Sequence, residues 1–441
     1  MKTKLLMTLF LSAAATAVFA QQGGSARQAV INQQQKKQTI DSIASVLNER
    51  YIFPEVAQKT IVHLRTRLAK KAYDGINDGN DFAGALTADL QAISHDKHLR
   101  VYYSADEIPV EKEHELMSIP PEFREVLGRI LIHTNYGIRK LEVLRGNIGY
   151  IDFEQLVTPE MAGDTYAAAM NYLAHTEAMI IDLRRCGGSQ SPDAIPFLLS
   201  YFFETPVHLI DMQFRKGNVL KQSWTYAHVP GKSYLNKPVY VLVSNGTFSG
   251  AEEMAYDLKN LKRATIIGQT TGGGANPGGE LRVSSHYGMF VPVGKVQSPI
   301  TKTNWEGVGV QPDTVINTKL ALHKAQQMAM QNSINTTNEK EWKDALTEWL
   351  KELNASKPVF KQVVFQLKGF ESAKEVYVAG TFNDWASQTT KMERKGDKWV
   401  ATAETEPGKI TYKFIVDGQW IADPANDRKE GPNGDSVKVV E

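Results

Sequence analysis

The stretch Val241-Leu-Val-Ser-Asn-Gly-Thr-Phe-Ser-Gly-Ala-Glu-Glu253 decides the fold, because it predicts a buried strand, a turn and a helix in direct succession. The apolar run ends at Ser244, and the helix begins around Ser249. A hydroxyl at this place is exposed at the carboxyl end of a strand, where α/β sheets usually hold their sites. It also lies at a helix amino terminus, whose free N–H groups stabilise negative charge. From this stretch alone, Ser249 fits both a nucleophile and an ordinary helix N-cap.

Apolar strands and helices alternate on both sides of this stretch. Continuous apolar runs of this kind are typical of strands that helices cover on both faces. The pattern predicts an α/β domain with a largely parallel sheet over residues 146–320. Its predicted strands are Ile148–Phe153, Ala178–Leu183, Pro238–Ser244, Ala264–Ile267 and Tyr287–Val293, and its predicted helices are Pro159–Leu173 and Ala251–Leu261.

The regions that flank this domain make the chain an α/β multidomain protein. Residues 21–105 are predicted to be a helical domain, because their apolar residues recur at helical spacing. Residues 106–145 are charged and interrupted by proline, and we treat them as a connecting segment without assigned elements. Residues 321–357 are predicted to be a helical linker. Residues 358–441 hold short alternating strands between turn residues, which is typical of a small immunoglobulin-like β-sandwich.

The amino terminus is predicted to be a secretory signal peptide over residues 1–20. Met1-Lys-Thr-Lys4 precedes an apolar run that is too short to span a membrane as a helix, and small residues precede the cut. We expect cleavage after about Ala20 and a periplasmic or secreted product with no membrane insertion.

Composition and charge exclude several classes of function. Lysine and arginine number 50 against 49 aspartates and glutamates, which leaves no basic surface for nucleic acid. Cys186 is the only cysteine, so the chain has neither an intrachain disulfide nor a cysteine-based zinc site. The glycine run at 272–274 lacks the lysine of a phosphate-binding loop. We therefore expect no cofactor and no metal.

A second strand ends in paired glycines. The stretch Ile181-Asp-Leu-Arg-Arg-Cys-Gly-Gly-Ser189 places Gly187 and Gly188 shortly after the apolar run that ends at Leu183. Glycines at such a turn let backbone N–H groups approach a ligand closely, as an oxyanion hole requires. A simple tight turn explains the same residues.

Three motifs in series resemble peptidase family S41, the tail-specific or C-terminal processing proteases. They are Asp182-Leu-Arg with Gly187-Gly188, Phe248-Ser-Gly-Ala-Glu-Glu253, and Ile267-Gly-Gln-Thr-Thr-Gly-Gly-Gly274. The likeness covers roughly residues 38–320 and is greatest to the branch of interphotoreceptor retinoid-binding protein and the tricorn core protease. It implies a crotonase or ClpP-like α/β catalytic domain. It also implies Ser249 as the nucleophile, with an oxyanion hole made by Gly250 and by Gly187 or Gly188.

The general base separates this chain from the tail-specific proteases. Those enzymes use a lysine shortly after the nucleophile, and here that position falls near Gly274 with no lysine close by. The tricorn-like branch uses a histidine from the preceding domain and a late glutamate. Resemblance to the segments that carry them points to His98, rather than to its neighbour His95, and to Glu306. Imidazole titrates in the range needed to take a serine proton, and a carboxylate can support its charged form.

The last eighty residues resemble the glycogen-binding module of the AMP-activated kinase β subunit, a family 48 carbohydrate-binding module. The motifs are Val376-Tyr-Val-Ala-Gly-Thr-Phe-Asn-Asp-Trp385 and Ile410-Thr-Tyr-Lys-Phe-Ile-Val-Asp-Gly-Gln-Trp420. Sugar rings stack on indoles, and amide and ammonium groups bond their hydroxyls. The predicted α-glucan contacts are Trp385, Lys413, Trp420 and Asn433, whereas Trp399 lies mid-strand and is expected in the core. A purely structural appendage is the alternative.

The leading hypothesis is an exported serine endopeptidase that acts on a peptide or protein substrate through an acyl-enzyme on Ser249. Two alternatives remain: a protein that binds a hydrophobic ligand or peptide without turnover, and a carbohydrate-binding protein that uses the S41 part as a scaffold.

Overall fold

The computed structural model describes residues 30–108, 121–383, 385–387 and 389–441. The predicted signal peptide at residues 1–20 lies outside the described residues. The chain divides at Thr318 into two compact units, residues 1–318 and 319–441. Within the described ranges, no helix is long and apolar enough to cross a membrane.

The first unit contains both helices and strands, whereas the elements described after residue 360 are all strands. The described helices are α1 Gln33–Arg50, α2 Pro54–Ala69, α3 Gly79–Ser94, α4 Pro121–His133, α5 Pro159–Leu173, α6 Ala194–Leu199, α7 Gly250–Asn260, α8 Thr318–Thr336 and α9 Lys340–Ala355. The strands are β1 Arg100–Tyr103, β2 Ile138–Leu144, β3 Ile148–Phe153, β4 Ala178–Asp182, β5 His208–Phe214, β6 Leu220–Trp224, β7 Val239–Val243, β8 Thr265–Gly268, β9 Gly278–Arg282, β10 Tyr287–Pro292, β11 Gly294–Gln297 and β12 Thr314–Val315, then β13 Lys361–Lys368, β14 Val376–Gly380, β15 Glu393–Lys395, β16 Lys398–Thr405, β17 Gly408–Val416, β18 Gln419–Ile421, β19 Lys429–Glu430 and β20 Asp435–Val440.

A six-stranded sheet forms the centre of the first unit, in the order β12-β8-β7-β4-β3-β2. Neighbours from β3 to β12 run parallel. Every residue of β3, β4 and β7 is buried, as expected for strands covered on both faces. The carboxyl ends of β4 and β7 lie side by side, which brings the turn before Ser249 next to the turn that carries Gly187 and Gly188.

The edge strand β2 lies inside the segment that the sequence left unassigned. Residues 106–145 contain helix α4 as well as β2, and β2 pairs antiparallel with β3. Its residues Arg139, Lys140 and Glu142 are exposed or half-buried, so the strand lacks the apolar run that marks its neighbours. Residues 106–145 therefore contribute a strand to the central six-stranded sheet and are more than a connector.

The amino-terminal helices share a core with a hairpin from the far end of the first unit. Strand β1 pairs antiparallel with β10, and β10 pairs with β9. The buried cluster of α1, α2 and α3 is completed by Val283, Tyr287, Met289 and Val291. The helical region and residues 278–292 are consequently one packing unit, although the sequence assigns them to separate domains.

A further small sheet, β11-β5-β6, was not foreseen from the sequence. Directly after β5, the guanidinium of Arg215 donates to the backbone carbonyls of Tyr51 (2.7 Å) and Asn48 (2.7 Å). These carbonyls lie at the carboxyl end of α1, where helix carbonyls lack intrahelical partners. Arg215 thus links this sheet to the amino-terminal helices.

The second unit contains α9, most of α8 and two antiparallel sheets. The sheets have strand orders β13-β16-β15 and β14-β17-β20-β19, with β18 added to β17. Their inward residues form one core that includes Phe365, Trp399, Tyr412 and Phe414. Alternating burial along β13 shows the period of two expected for strands with one solvated face.

Candidate active site and carbohydrate surface

The turn between β7 and α7 holds Ser249 in a strained backbone conformation, with φ 54° and ψ −126°. The hydroxyl of Thr247 fixes this turn, because it donates to the carbonyl of Leu183 (2.7 Å) and accepts from the N–H of Ser244 (2.9 Å). The N–H of Phe248 donates to the carbonyl of Cys186 (3.1 Å). These bonds attach the Ser249 turn to the end of β4. Strain of this kind is often found where a side chain must be presented for chemistry.

His98 reaches this turn from the segment between α3 and β1. Its Nε2 lies 3.2 Å from Ser249 Oγ. The imidazole sits between the rings of Phe248 and Phe290, with centroid distances of 4.7 and 5.4 Å. Burial, with a smaller effect from the positive charge of Arg100, lowers the pKa of His98 to about 3. The imidazole is therefore neutral near neutral pH, and the same burial makes its protonated form costly unless a nearby negative charge offsets it. His95, the alternative histidine, is exposed.

Gly188 packs directly against the Ser249 turn. Its φ is 131°, and a Cβ placed on it would lie 2.9 Å from Ser249 Cβ and 3.5 Å from the Gly250 nitrogen. Among the described residues, the N–H groups of Gly187, Gly188 and Gly250 have no hydrogen-bond partner. Gly250 is the first residue of α7, so its N–H also lies at the positive end of a helix. The glycines predicted for an oxyanion hole thus include two, Gly188 and Gly250, that lie beside each other next to Ser249.

Glu252 is a buried carboxyl that the sequence reasoning passed over. Its two oxygens accept the N–H groups of Ser249 (2.9 Å), Gly273 (2.6 Å) and Gly274 (2.8 Å), and also the Thr271 hydroxyl. Burial raises the pKa of Glu252 to about 7, and these hydrogen bonds oppose that shift. The carboxyl therefore joins the Ser249 turn to the glycine run. The Ser-x-x-Glu spacing of a capping box was the signal that could have found it.

Glu306 lies on the other side of His98, on the loop before β12. Its Oε2 accepts the N–H groups of Ala275 (2.6 Å) and Asn276 (3.2 Å). Its Oε1 is buried without a hydrogen-bond partner. Burial, and then the negative charge of Asp96, raises the pKa of Glu306 to about 7. The fold thus brings Ser249, His98 and Glu306 together from three separate segments.

Asp96 is a second carboxyl beside His98 that was not predicted. Its Oδ1 accepts the backbone N–H of His98 (3.0 Å) and lies 3.8 Å from His98 Nδ1. Its Oδ2 accepts from the Tyr51 hydroxyl (3.2 Å) and the Asn276 amide (3.2 Å). Burial raises the pKa of Asp96. The Asp-x-His spacing is the sequence sign of such an aspartate turn.

The predicted sugar-contact residues of the second unit lie in two connected groups. The rings of Trp385 and Trp420 have centroids 6.2 Å apart, and Trp420 is exposed. The Lys413 ammonium donates to the carbonyl of Asn433 (2.7 Å) and pairs with Asp435 (3.3 Å). Lys413 therefore holds the loop of Asn433 in place, and its charge is already engaged.

Strand register places the two groups on one face of the sheet. Lys413 and Ile415 are two residues apart on β17, so their side chains point to the same side. Trp420 on β18 is the cross-strand partner of Ile415. By contrast, Trp399 is buried in the core, and its Nε1 donates to the carbonyl of Phe370 (3.2 Å). One sheet face thus presents an indole pair beside an ordered polar loop.

Comparison with known proteins identifies three regions of the chain. Residues 147–316 match peptidase family S41, and residues 25–132 match the N-terminal domain of peptidase S41 in eukaryotic IRBP. Residues 362–441 match the glycogen recognition site of AMP-activated protein kinase. The first two regions thus match the two domains of peptidase family S41, and the last matches an AMP-activated-kinase-type glycogen-recognition module.

Curated β subunits of AMP-activated protein kinase resemble this module. The mouse (Mus musculus) 5'-AMP-activated protein kinase subunit β-2 is 35% identical over 78 residues, which are 18% of this chain and 28% of the relative. The pig (Sus scrofa) subunit β-1 is 34% identical over 86 residues, 19% of this chain and 67% of the relative. The chain thus spans about 28% of the length of the first of these relatives. Among solved structures, a lipoprotein from Streptococcus agalactiae has a TM-score of 0.44 at 14% identity, over 67% of this chain and 96% of that one.

Proposed function

We propose that this protein is an exported serine endopeptidase with Ser249 as its nucleophile and His98 as its general base. The observation that carries the proposal is the 3.2 Å contact between His98 Nε2 and Ser249 Oγ. It occurs at a helix amino terminus, next to two unpartnered backbone N–H groups. The S41 match of residues 147–316 supports the same class of chemistry. Export rests on the signal-peptide pattern of residues 1–20.

The geometry fits acylation by a peptide. The Ser249 oxygen attacks the carbonyl carbon of the substrate while His98 Nε2 takes the serine proton. Negative charge then develops on the carbonyl oxygen, where the N–H groups of Gly188 and Gly250 can bind it. The imidazolium gives its proton to the leaving amine. Water, deprotonated by the same imidazole, releases the acyl group and restores Ser249.

The carboxyls beside Nδ1 of His98 act on its charged form. Glu306 has a free buried Oε1, and Asp96 orients the His98 backbone. A negative charge at either group stabilises the imidazolium that forms when Ser249 loses its proton. We assign Glu306 as the third member of the site, with Asp96 as the residue that positions His98.

A fluorophosphonate probe tests the enzyme directly. The wild type should be labelled, whereas Ser249→Ala should not be and His98→Gln should react roughly 100-fold or more slowly. His95→Gln is the matched control, because His95 is an exposed neighbour. It should keep the wild-type labelling rate. If the folded wild type is not labelled, the enzyme hypothesis is rejected. The protein would then be expected to bind peptides or apolar ligands without turnover.

The carboxy-terminal module supports a second function, the binding of α-glucan. The observation is the Trp385–Trp420 pair on one sheet face, since indole faces stack on sugar rings. The wild type should co-sediment with glycogen, whereas Trp420→Ala and Trp385→Ala should stay in the supernatant. Trp224→Ala serves as control, because Trp224 is comparably exposed but lies in the first unit. If the wild type stays in the supernatant, sugar binding is rejected.

A further inference from the structure

The side of His98 that faces away from Ser249 contains a cluster of metal-ligating groups. Asp96, His98 and Glu306 each offer one ligand atom, and these atoms lie within 4.8 Å of one another. Nδ1 of His98 is 3.8 Å from Asp96 Oδ1. That separation is a little wider than the roughly 3.3–3.6 Å between two ligands of a tetrahedral zinc ion with bonds of about 2.0–2.2 Å, so a small approach of the two side chains would let them bind one ion. The sequence predicted no metal, because these three residues are brought together only by the fold.

Three polar atoms around this cluster are buried without a hydrogen-bond partner. They are His98 Nδ1, Glu306 Oε1 and Asn276 Oδ1. His98 is 7% exposed and Asn276 is 2% exposed. The Asn276 amide nitrogen donates to Asp96, so the amide oxygen lies at the edge of the same cluster. Buried polar atoms normally have partners, and two unpaired oxygen acceptors beside an unpaired ring nitrogen fit a missing cation or donor.

Charge gives an independent reason for a cation. Asp96 and Glu306 are two carboxyl groups in a buried setting, and no lysine or arginine among the described residues forms an ion pair with either. Lys97, the nearest cation in sequence, is exposed and donates to the carbonyl of Gly272 (2.7 Å). Two carboxylates with one imidazole nitrogen would neutralise a divalent ion, and imidazole favours zinc over calcium or magnesium.

We propose that Asp96, His98 and Glu306, with Asn276 at the edge, form an inhibitory site for Zn²⁺ on the far side of the catalytic imidazole. The binding of the ion is independent of the proposed function, but its inhibitory effect rests on it.

Zinc at this site blocks the base through its tautomer. A metal on Nδ1 requires that nitrogen to be unprotonated, so the neutral ring must carry its hydrogen on Nε2. Nε2 then donates to Ser249 Oγ and can no longer accept the serine proton. Glu306 is also withdrawn from its role beside the imidazolium. The ion therefore lowers the reactivity of Ser249 without occupying the place where substrate binds.

Zinc binding is measured on the full chain by calorimetry after treatment with a chelator, and by the rise in Tm. Wild type and Ser249→Ala should each bind one zinc ion per chain. Glu306→Gln and Asp96→Asn should weaken the affinity at least about tenfold, since each removes a charged ligand. Two variants are used so that the affinity can still be compared if one of them fails to fold. Asp211→Asn is the control, because His208–Asp211 is another histidine–aspartate pair (3.0 Å) outside the cluster.

The second readout is protection of Ser249 from the fluorophosphonate probe. Saturating zinc should slow labelling of the wild type by roughly 100-fold or more, the usual contribution of a general base, and EDTA should restore it. The site is rejected if the wild type binds no zinc, or if Glu306→Gln and Asp96→Asn bind it as tightly as Asp211→Asn does. Inhibition is rejected if zinc-loaded wild type reacts at the zinc-free rate. Labelling of the zinc-free protein tests the proposed enzyme activity by itself. Failure of the zinc site and failure of the proposed function can therefore be distinguished.

Discussion

Nε2 of His98 lies 3.2 Å from Oγ of Ser249, although 151 positions separate the two residues in the sequence. The contact depends on three attachments. Strand pairing between β1 and β10 holds the segment after His98. Asp96 fixes the His98 backbone, and Glu252 fixes that of Ser249. Substitutions at these attachments therefore test the site without touching the two reacting groups.

Replacement of Gly188 by alanine should abolish the reactivity of Ser249. The new Cβ would lie 2.9 Å from Ser249 Cβ, and the backbone at φ 131° disfavours a side chain. We expect labelling to fall by roughly 100-fold or more, the usual effect of losing an oxyanion donor. Gly408→Ala is the control, because Gly408 has a similar φ of 119° but open space around it. Equal labelling of the two variants would contradict the placement of Gly188 at the oxyanion hole.

Glu252→Gln should both destabilise the protein and slow its labelling. An amide can replace only one acceptor oxygen, so at least one N–H group would face an NH₂ group. Leaving a buried donor unsatisfied costs about 1–3 kcal/mol. The companion variant is Glu253→Gln. Burial, and then the charge of Asp257, raises the pKa of Glu253 well above its ordinary value, so the charged form is disfavoured and an amide is expected to be tolerated. Both variants are compared by denaturant unfolding and by the rate of probe labelling. The account is contradicted if Glu253→Gln loses more stability or labels more slowly than Glu252→Gln.

The rate of labelling should fall as pH drops through about 7. Burial raises the pKa of Glu252 to about 7, so the carboxylate that accepts all its donors is present above that pH and lost below it. The pKa of His98 is lowered to about 3, so the imidazole stays neutral across this range. Glu252→Gln should imitate the acid form of Glu252 and lower the rate throughout, while the dependence on pH that remains should belong to Glu306, whose pKa is also raised to about 7. A Glu252→Gln variant that keeps the full wild-type rate and midpoint would assign the titration to Glu306 alone.

Arg215→Ala should weaken the reactivity of Ser249 from a distance. Arg215 binds the carbonyls of Asn48 and Tyr51, and the hydroxyl of Tyr51 donates to Asp96 beside His98. We expect a lower Tm and slower labelling, because the end of α1 loses its anchor. Arg129→Ala is the control, since Arg129 forms only an exposed helical pair with Glu125. If Arg215→Ala and the wild type are labelled at the same rate, the hydrogen bonds of Arg215 do not affect the reactivity of Ser249.

Local patterns predicted most of the central sheet. The strands Ile148–Phe153 and Val239–Val243 and the helix Pro159–Leu173 follow the sequence expectation to within a residue or so, because continuous apolar runs report burial directly. Strand β2 was missed because its exposed charged residues hide the pattern. The β1–β10 pairing was missed because no local signal specifies a partner almost two hundred positions away.

The site was predicted unevenly for a related reason. Ser249 and Gly188 sit at strand ends that the sequence marks, whereas His98 and Glu306 were reached through family resemblance. Glu252 and Asp96 were passed over, because their partners are backbone groups and distant side chains. Their importance becomes visible only when Gly273, Asn276 and Tyr51 surround them.

The shared core of the amino-terminal helices and β10 has a consequence for biosynthesis. A ribosome releases residues 33–101 long before it makes Val283, Tyr287, Met289 and Val291, which complete that core. Until then the early helices lack part of their apolar partner, and His98 has no strand to hold it beside Ser249. A chain truncated between residues 250 and 282 would therefore contain Ser249, the proposed nucleophile, but lack the strand that holds His98 beside it.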